Sequence, residues 1–369
     1  MSTPSTTAGG FDEAPLPRFD LIVFCHLRWD FVYQRPQHII SRLARSRRVL
    51  FVEEPFRRHE TPQQHLRQES EGLWVLQPNV DAIGEIAAVL RGYLNQSSVP
   101  VGWFYSPSFV GMLDHLTFDT VVYDCMDELS LFRGAPPQLV EQERQLLERA
   151  DIVFTGGPSL YASKQSRHDN VFCFPSSVDR DHFSRARKQG PVPEDIGRIE
   201  GPIAGYFGVI DERIDLPLLA ATAERTPEVA FVMIGPLAKI GHEDLPQRNN
   251  IHYLGMKDYA ELPDYLRSFS VAMMPFALND ATRFISPTKT LEYMAAGKPI
   301  VSTAIRDVVD PYGKVVAIVD DADSFSAAIR SAITQREPVD YDKILQATSW
   351  DATVQEMQSL LAQPVISHG

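Results

Sequence analysis

SPTKTLEYMAAGKPIVST, residues 286–303, reads as helix, turn and buried strand in one stretch. Ser286 is a good N-cap, and Pro287 suits the first helical position, where its missing N–H costs nothing. Leu291, Met294 and Ala295 form an apolar stripe, Gly297 ends the helix, and Pro299-Ile300-Val301 starts a strand. Two charges sit where a plain structural helix has little use for them. Lys289 falls in the first turn, where the positive end of the helix dipole opposes a cation by roughly 0.3–1 kcal/mol. An anion held between Lys289 and the free N–H groups at Thr288 reverses that penalty. Glu292, three residues on, shares the face of Lys289 and can accept hydrogen bonds from two neighbouring hydroxyls, as on a ribose. A diphosphate beside a ribose is a nucleotide-sugar. The bland alternative is a surface Lys–Glu pair on an ordinary α/β helix.

Outward from this segment, apolar strands alternate with helices. In the first half strands are expected at Phe19–Cys25, Arg48–Glu53, Leu73–Leu76, Val101–Tyr105, Thr120–Asp124, Ile152–Thr155 and Val171–Phe174. Helices fit Pro36–Ser46, Ile83–Asn95, Pro137–Arg149 and Pro158–Arg167. The pattern restarts with strands at Ile203–Phe207, Ala230–Ile234, Ile251–Leu254, Val271–Met274 and Val315–Val319. Helices there fit Leu216–Arg225, Tyr259–Ser268, Ser324–Thr334 and Trp350–Gln363. The expected fold is α/β, two Rossmann-like domains facing across a cleft. A flexible tail covers residues 1–18, an N-terminal domain 19–180, and a charged Gly/Pro-containing linker 181–201. The C-terminal domain covers 202–345, and a last helix within 346–369 is placed to pack back on the N-terminal domain.

The 369 residues exceed what one core usually holds, and 44% hydrophobic with 22% charged residues is the balance of a soluble globular enzyme. A net charge of -13 argues against general nucleic-acid binding. Cys25, Cys125 and Cys173 lie in apolar strand-like runs without metal-ligand spacing, as buried thiols in a reducing compartment do. The polar N-terminus has no apolar h-region, so no signal peptide is expected. No apolar run approaches the ~18 residues of a membrane helix, which points to the cytoplasm.

Three stretches resemble the GT-B glycosyltransferases of the large retaining group called family 4 or group 1. Ala150 to Phe183 resembles the family's strand, loop, helix and strand ending in "PNGVD…F"; Tyr206 to Leu218 resembles its phosphate segment; Ser286–Thr303 resembles "LEAMAxGxPVV". FCHLRWDFVYQRPQHI and FISPTKTLEYMAAGKP are also similar to glycosyltransferases of teichuronic-acid and other cell-surface polysaccharide pathways. The resemblance implies transfer of a sugar, with retention, from a nucleoside-diphosphate sugar to a glycan or lipid-linked acceptor, with no cofactor. It makes the first domain the acceptor side and the second the nucleotide-sugar side. Three departures stand out. Phe284 occupies the position eight before Glu292 where relatives have an acid, Arg213-Ile214 replaces a Lys-Gly pair, and Asp127 follows its strand without the usual His.

On this reading Arg213, Lys289, Thr288 and Gly208 hold the diphosphate, with Arg serving as a forked donor in place of Lys. Glu292 takes the ribose, and Leu254 with Gly255 contacts the base through the backbone. Asp280, Arg283 and Ser286 meet the donor sugar; loop-bracing hydrogen bonds are the alternative. Asp127 and His26 are the catalytic candidates, with a helix cap the alternative for Asp127. Arg28, Trp29, Gln34 and Arg35, in the loop after the first strand, form the acceptor side. No metal is required if the cations carry the charge, and no cluster has ligand spacing. Arg42, Arg45, Arg47, Arg48, Arg57 and Arg58, with Ile39, Ile40 and Leu43, can dock an anionic membrane carrying a lipid-linked acceptor; a solvated helix face is the alternative. Two other functions stay open: a catalytically weak nucleotide-sugar-binding or scaffold relative, and a nucleotide-sugar epimerase. An oxidoreductase is disfavoured because no G-x-G-x-x-G follows Phe24 or Phe207.

Overall fold

Runs such as Leu21-Ile-Val-Phe-Cys25 are apolar at every position because both faces of their strand are covered. Ile22 and Phe24 enter one core with Leu146 and Leu160, while Leu21, Val23 and Cys25 join Ile39, Leu43 and Trp103 on the other face. The computed structural model describes residues 17–57, 64–334 and 339–363. Its first sheet contains β1 (Leu21–Cys25), β2 (Val49–Glu53), β3 (His65–Ser70), β4 (Leu73–Gln77), β5 (Val99–Phe104), β6 (Phe118–Cys125), β7 (Ile152–Thr155) and β8 (Val171–Cys173). Their order is β3-β4-β2-β1-β5-β6-β7-β8, parallel throughout except for the β3–β4 pair. The second sheet contains β9 (Ile203–Phe207), β10 (Ala230–Ile234), β11 (Ile251–Gly255), β12 (Val271–Met274), β13 (Ile300–Thr303) and β14 (Ala317–Val319). Its order is β11-β10-β9-β12-β13-β14, all parallel.

Both orders reverse at one point, between β1 and β5 in the first sheet and between β9 and β12 in the second. Ligands of open α/β sheets bind beyond the carboxyl ends of the strands at such a point. The loops after β1, β5, β9 and β12 therefore stand nearest the expected site.

Three sequence expectations need correction. β3 is a polar, exposed strand with no apolar alternation to announce it; it adds antiparallel to the edge of the sheet. Residues 181–201 are not an unstructured linker. They carry helix Arg180–Ser184 and short turns, and Phe183, Ala186 and Ile196 are buried in the second core. Ser286 is not the N-cap. Helix Thr288–Ala295 is capped by Pro287, whose ψ of 118° is extended, and the Ser286 carbonyl instead accepts a 2.6 Å bond from Ser176 Oγ of the first domain. The helix ends in a Schellman motif: Gly297 takes φ +70°, its N–H donates to Met294 O, and Lys298 N–H donates to Tyr293 O.

The last helix, Trp350–Leu361, crosses back: Trp350, Val354 and Met357 are buried in the first domain's core, and Trp350 stacks on His38 at 4.8 Å. The domains are also tied by Asp307, whose carboxylate accepts from Ser159 N and Oγ at 3.2 and 3.1 Å. The expected tail lies outside the described residues except for its last two positions. Among the described residues no helix is long and apolar enough to cross a membrane.

Candidate active site

Three strand ends of the second sheet finish in glycine-lined turns. Gly208 follows β9 with φ +140°, Gly235 follows β10 with φ +148°, and Gly255 ends β11 with φ +69°. Gly208 N–H donates to Ile234 O and Gly235 N–H to Gly255 O, so the three form a continuous floor. A Cβ on Gly235 would lie 1.9 Å from Gly208 O, and one on Gly208 would lie 2.1 Å from Lys289 Cε. Lys289 thus lies across Gly208, with Nζ 5.8 Å from the centre of the Tyr206 ring. Glu292 sits one turn further along the same helix and is 5% exposed. Neither side chain makes a hydrogen bond or salt bridge among the described residues. That is unusual for a buried carboxylate, and burial pushes Glu292 up to about 7 against the pull of Lys289. Burial lowers Lys289 in turn, with Glu292 opposing and Arg213 adding to the shift.

Arg213 leaves β9 by a loop that folds it onto Asp211. Nε lies 2.9 Å from Oδ1 and Nη2 2.7 Å from Oδ2, and the guanidinium stands 5.6 Å from the Phe132 ring. Burial opposes its charge, but the Asp211 bonds outweigh burial and raise its pKa. Asp211 is a site residue that the sequence reading missed, although it stands two positions before Arg213.

Arg213, Ser286, Thr288 and Lys289 line a small cavity of about 80 Å³, closed from the first domain by Gln34, Arg35 and Asp127. Asp127 is the one carboxylate in that lining. It follows β6, makes no side-chain hydrogen bond among the described residues, and does not cap the turn Leu129–Leu131. Burial raises it to about 6, with Arg213 acting against the shift. A carboxyl poised there can accept a proton near neutrality.

A larger cavity of about 870 Å³ opens from the same place; Gln34, Met126, Asp127 and Arg213 line both. His26 borders it with Nδ1 buried and unpartnered, and burial, aided by the charge of Lys239, lowers its pKa to about 4. The imidazole is therefore neutral at physiological pH. Glu54 and Lys239 also line this cavity and were not foreseen; Lys239 holds φ +60°, rare for a residue with a side chain.

Several predicted residues are engaged elsewhere. Arg28 is tied to Glu53 at 3.1 Å and to the carbonyls of Glu54 and Pro55. Trp29 is core, edge-on to Phe51 at 5.0 Å. Arg35 is buried against Asp124, 2.9 Å away, and bonds Phe174 O; it backs the small cavity while its charge is already paired. Asp280 and Arg283 are exposed and line neither cavity, Arg283 lying over the Phe284 ring at 5.2 Å. Phe284 itself packs against the first domain's core. Leu254 borders a separate cavity of about 420 Å³ with Asn250 and His252. The Gly255 carbonyl is taken by Gly235.

The apolar residues of the arginine cluster do not reach the surface. Ile39, Ile40 and Leu43 are fully buried, Arg42 and Arg45 pair with Asp351, Arg48 with Asp20, and Arg57 with Asp81. Arg47 is half-buried without a salt bridge among the described residues, and Arg58 lies outside them. Cys25 and Cys125 are buried and Cys173 half-buried, all unpaired. No group of three or more His, Cys, Asp or Glu among the described residues is arranged to hold a metal ion.

Comparison with known proteins agrees with this geometry. Residues 202–335 match the family model described as glycosyl transferases group 1. A Bacillus subtilis (strain 168) protein provisionally named teichuronic acid biosynthesis glycosyltransferase TuaH is 25% identical over 217 residues. That match spans 54% of this chain and about half the length of the relative, 54%. Among solved structures, sucrose-phosphate synthase from Thermosynechococcus elongatus superposes with a TM-score of 0.69 at 15% identity, covering 92% of this chain and 98% of that one. An E. coli trehalose-6-phosphate protein bound with UDP-2-fluoro glucose superposes at 0.67 and 12% identity, covering 93% and 99%. The fold is GT-B.

Proposed function

We propose that this chain is a glycosyltransferase moving a sugar from a nucleoside-diphosphate sugar to a hydroxyl of a surface-glycan acceptor, with retention. One observation carries the reading. Glu292 is buried without a hydrogen bond one turn from Lys289, and Lys289 lies across the Gly208 turn at the switch point and lines one cavity with Asp127 of the other domain. Burying a carboxylate without partners is costly, and a ribose would supply the two donors that it lacks.

Departure of the diphosphate builds negative charge on its oxygens and positive charge at the anomeric carbon. Lys289, the free N–H groups at Thr288 and the guanidinium of Arg213 stabilise the leaving group more as it leaves than before. Asp211 holds Arg213 in place. Asp127 orients the acceptor hydroxyl or takes its proton, and neutral His26 accepts a hydrogen bond from the acceptor. These cations carry the diphosphate charge without a metal. Ser286, which lines the small cavity beside Thr288 and Lys289, completes the donor site. UDP is the first nucleotide to test, because a solved structure of the same fold holds a UDP-sugar.

The second reading, a nucleotide-sugar-binding relative with little turnover, is favoured by Phe284 at the usual acidic position. Donor hydrolysis separates the two. On the enzyme reading, a screen of UDP-sugars gives slow hydrolysis that Lys289→Ala abolishes. Binding of UDP with no hydrolysis and no transfer to any acceptor would leave the binding role.

A further inference from the structure

The larger cavity exceeds what a sugar acceptor needs, and a good part of its outer wall is apolar. At about 870 Å³ it is of the size that encloses a drug-sized ligand. Its inner end, at Asp127, Gln34 and Arg213, is the polar junction with the donor cavity. Beyond that junction the lining is mixed, with Ile83, Val110, Met112, Leu129, Phe132 and Leu139 giving apolar surface among Ser108, His115, Gln138, Gln142 and Gln145. Ile83, Leu129 and Phe132 are only half-buried, so apolar surface stays open to the cavity.

Its charges do not select for an anion. Arg133, Arg213 and Lys239 are matched by Glu54, Asp114, Asp127 and Asp211, and two of the cations are already engaged. Asp211 holds Arg213, and Glu212 lies 3.7 Å from Lys239, which also donates to Arg133 O. A phosphorylated monosaccharide would meet compensated cations and leave the apolar part of the wall unused.

We infer that the acceptor is a sugar carried on an apolar aglycone, its hydroxyl at Asp127 and its aglycone against Ile83, Leu129 and Leu139. The inference rests on the transferase reading for the identity of the inner end. The aglycone is an alkyl chain, as in a lipid-linked sugar, or an aromatic group; both satisfy the same wall.

Equilibrium titrations with n-octyl, 4-nitrophenyl and methyl β-glucosides, and with glucose 6-phosphate, test it, the octyl compound being kept below its micelle concentration. Octyl or nitrophenyl glucoside should bind about tenfold or more tighter than the methyl compound. A gain confined to octyl identifies a chain, and an equal gain with nitrophenyl identifies an aromatic group. Ile83→Gln, and Ile83→Trp as a second variant in case the first misfolds, should erase the gain. Val140→Gln, at an exposed position outside the cavity, should keep it. Equal affinities for methyl and octyl glucosides, tighter binding of glucose 6-phosphate, or a gain that survives both Ile83 variants overturns the inference. UDP is titrated separately. Failure of UDP to bind would defeat the transferase reading, whereas UDP binding with no aglycone preference defeats only this one.

Discussion

Replacing Glu292 by Gln should make the free protein more stable and its donor site weaker. The side chain is 5% exposed, and burial raises its carboxyl from the ordinary 4.5 to about 7. A folded pKa above the unfolded one means that the native state keeps its proton longer. Below pH 4.5 the group costs nothing; stability then falls as pH rises towards 7 and stays lower beyond. The cost at full ionisation is about 3 kcal/mol. The substituted amide would carry no charge, so urea denaturation should find wild type and Glu292→Gln alike near pH 4 and the variant more stable by up to about 3 kcal/mol at pH 8. The same substitution removes the charge from two ribose hydrogen bonds, a loss of about 10- to 100-fold in UDP affinity at pH 8. A variant destabilised equally at both pH values would mean that Glu292 has a structural partner. Unchanged UDP affinity would remove it from the ribose site.

Three other perturbations read separate parts of the site. Asp127→Asn should lower transfer about 100-fold or more with UDP binding intact; wild-type transfer should fall as pH drops below about 6, where Asp127 takes up a proton, and a flat profile would argue against it. Gly208→Ala places a Cβ 2.1 Å from Lys289 Cε at φ +140°, so calorimetry should find UDP binding about tenfold weaker in a folded protein; unchanged binding would place the diphosphate elsewhere. Asp307→Ala removes the carboxylate that bonds Ser159 across the domains, a loss of about 1 kcal/mol. Small-angle scattering should then detect a larger radius of gyration, and an identical radius would mean that other contacts hold the closure.

The strands are legible where both their faces are buried: Ile152–Thr155, Ile203–Phe207, Ala230–Ile234 and Val271–Met274 have the bounds that the apolar runs predict. β3 is not, because an exposed edge strand needs no apolar residues. Residues 181–201 read as linker since their charges and prolines dominate, while Phe183 and Ile196, the residues that anchor them, are isolated in sequence. In the candidate site, the pairing of Lys289 and Glu292 on one helical turn follows from spacing alone. The Arg213–Asp211 pair was within reach of the same logic. The Arg35–Asp124 pair, 89 positions apart, was not, and it withdraws a cation that local sequence offered to the acceptor. Arg28 and Trp29 mislead for the same reason: a loop rich in polar and aromatic groups can spend them on its own support.

The structure of the protein with UDP tests the donor site most directly. The ribose hydroxyls should lie on the Glu292 carboxylate, the β-phosphate within hydrogen-bond reach of Lys289 and the Thr288 N–H, and Arg213 beside it. UDP bound away from the Gly208 floor, or an ordered UDP with Glu292 and Lys289 untouched, would contradict the assignment.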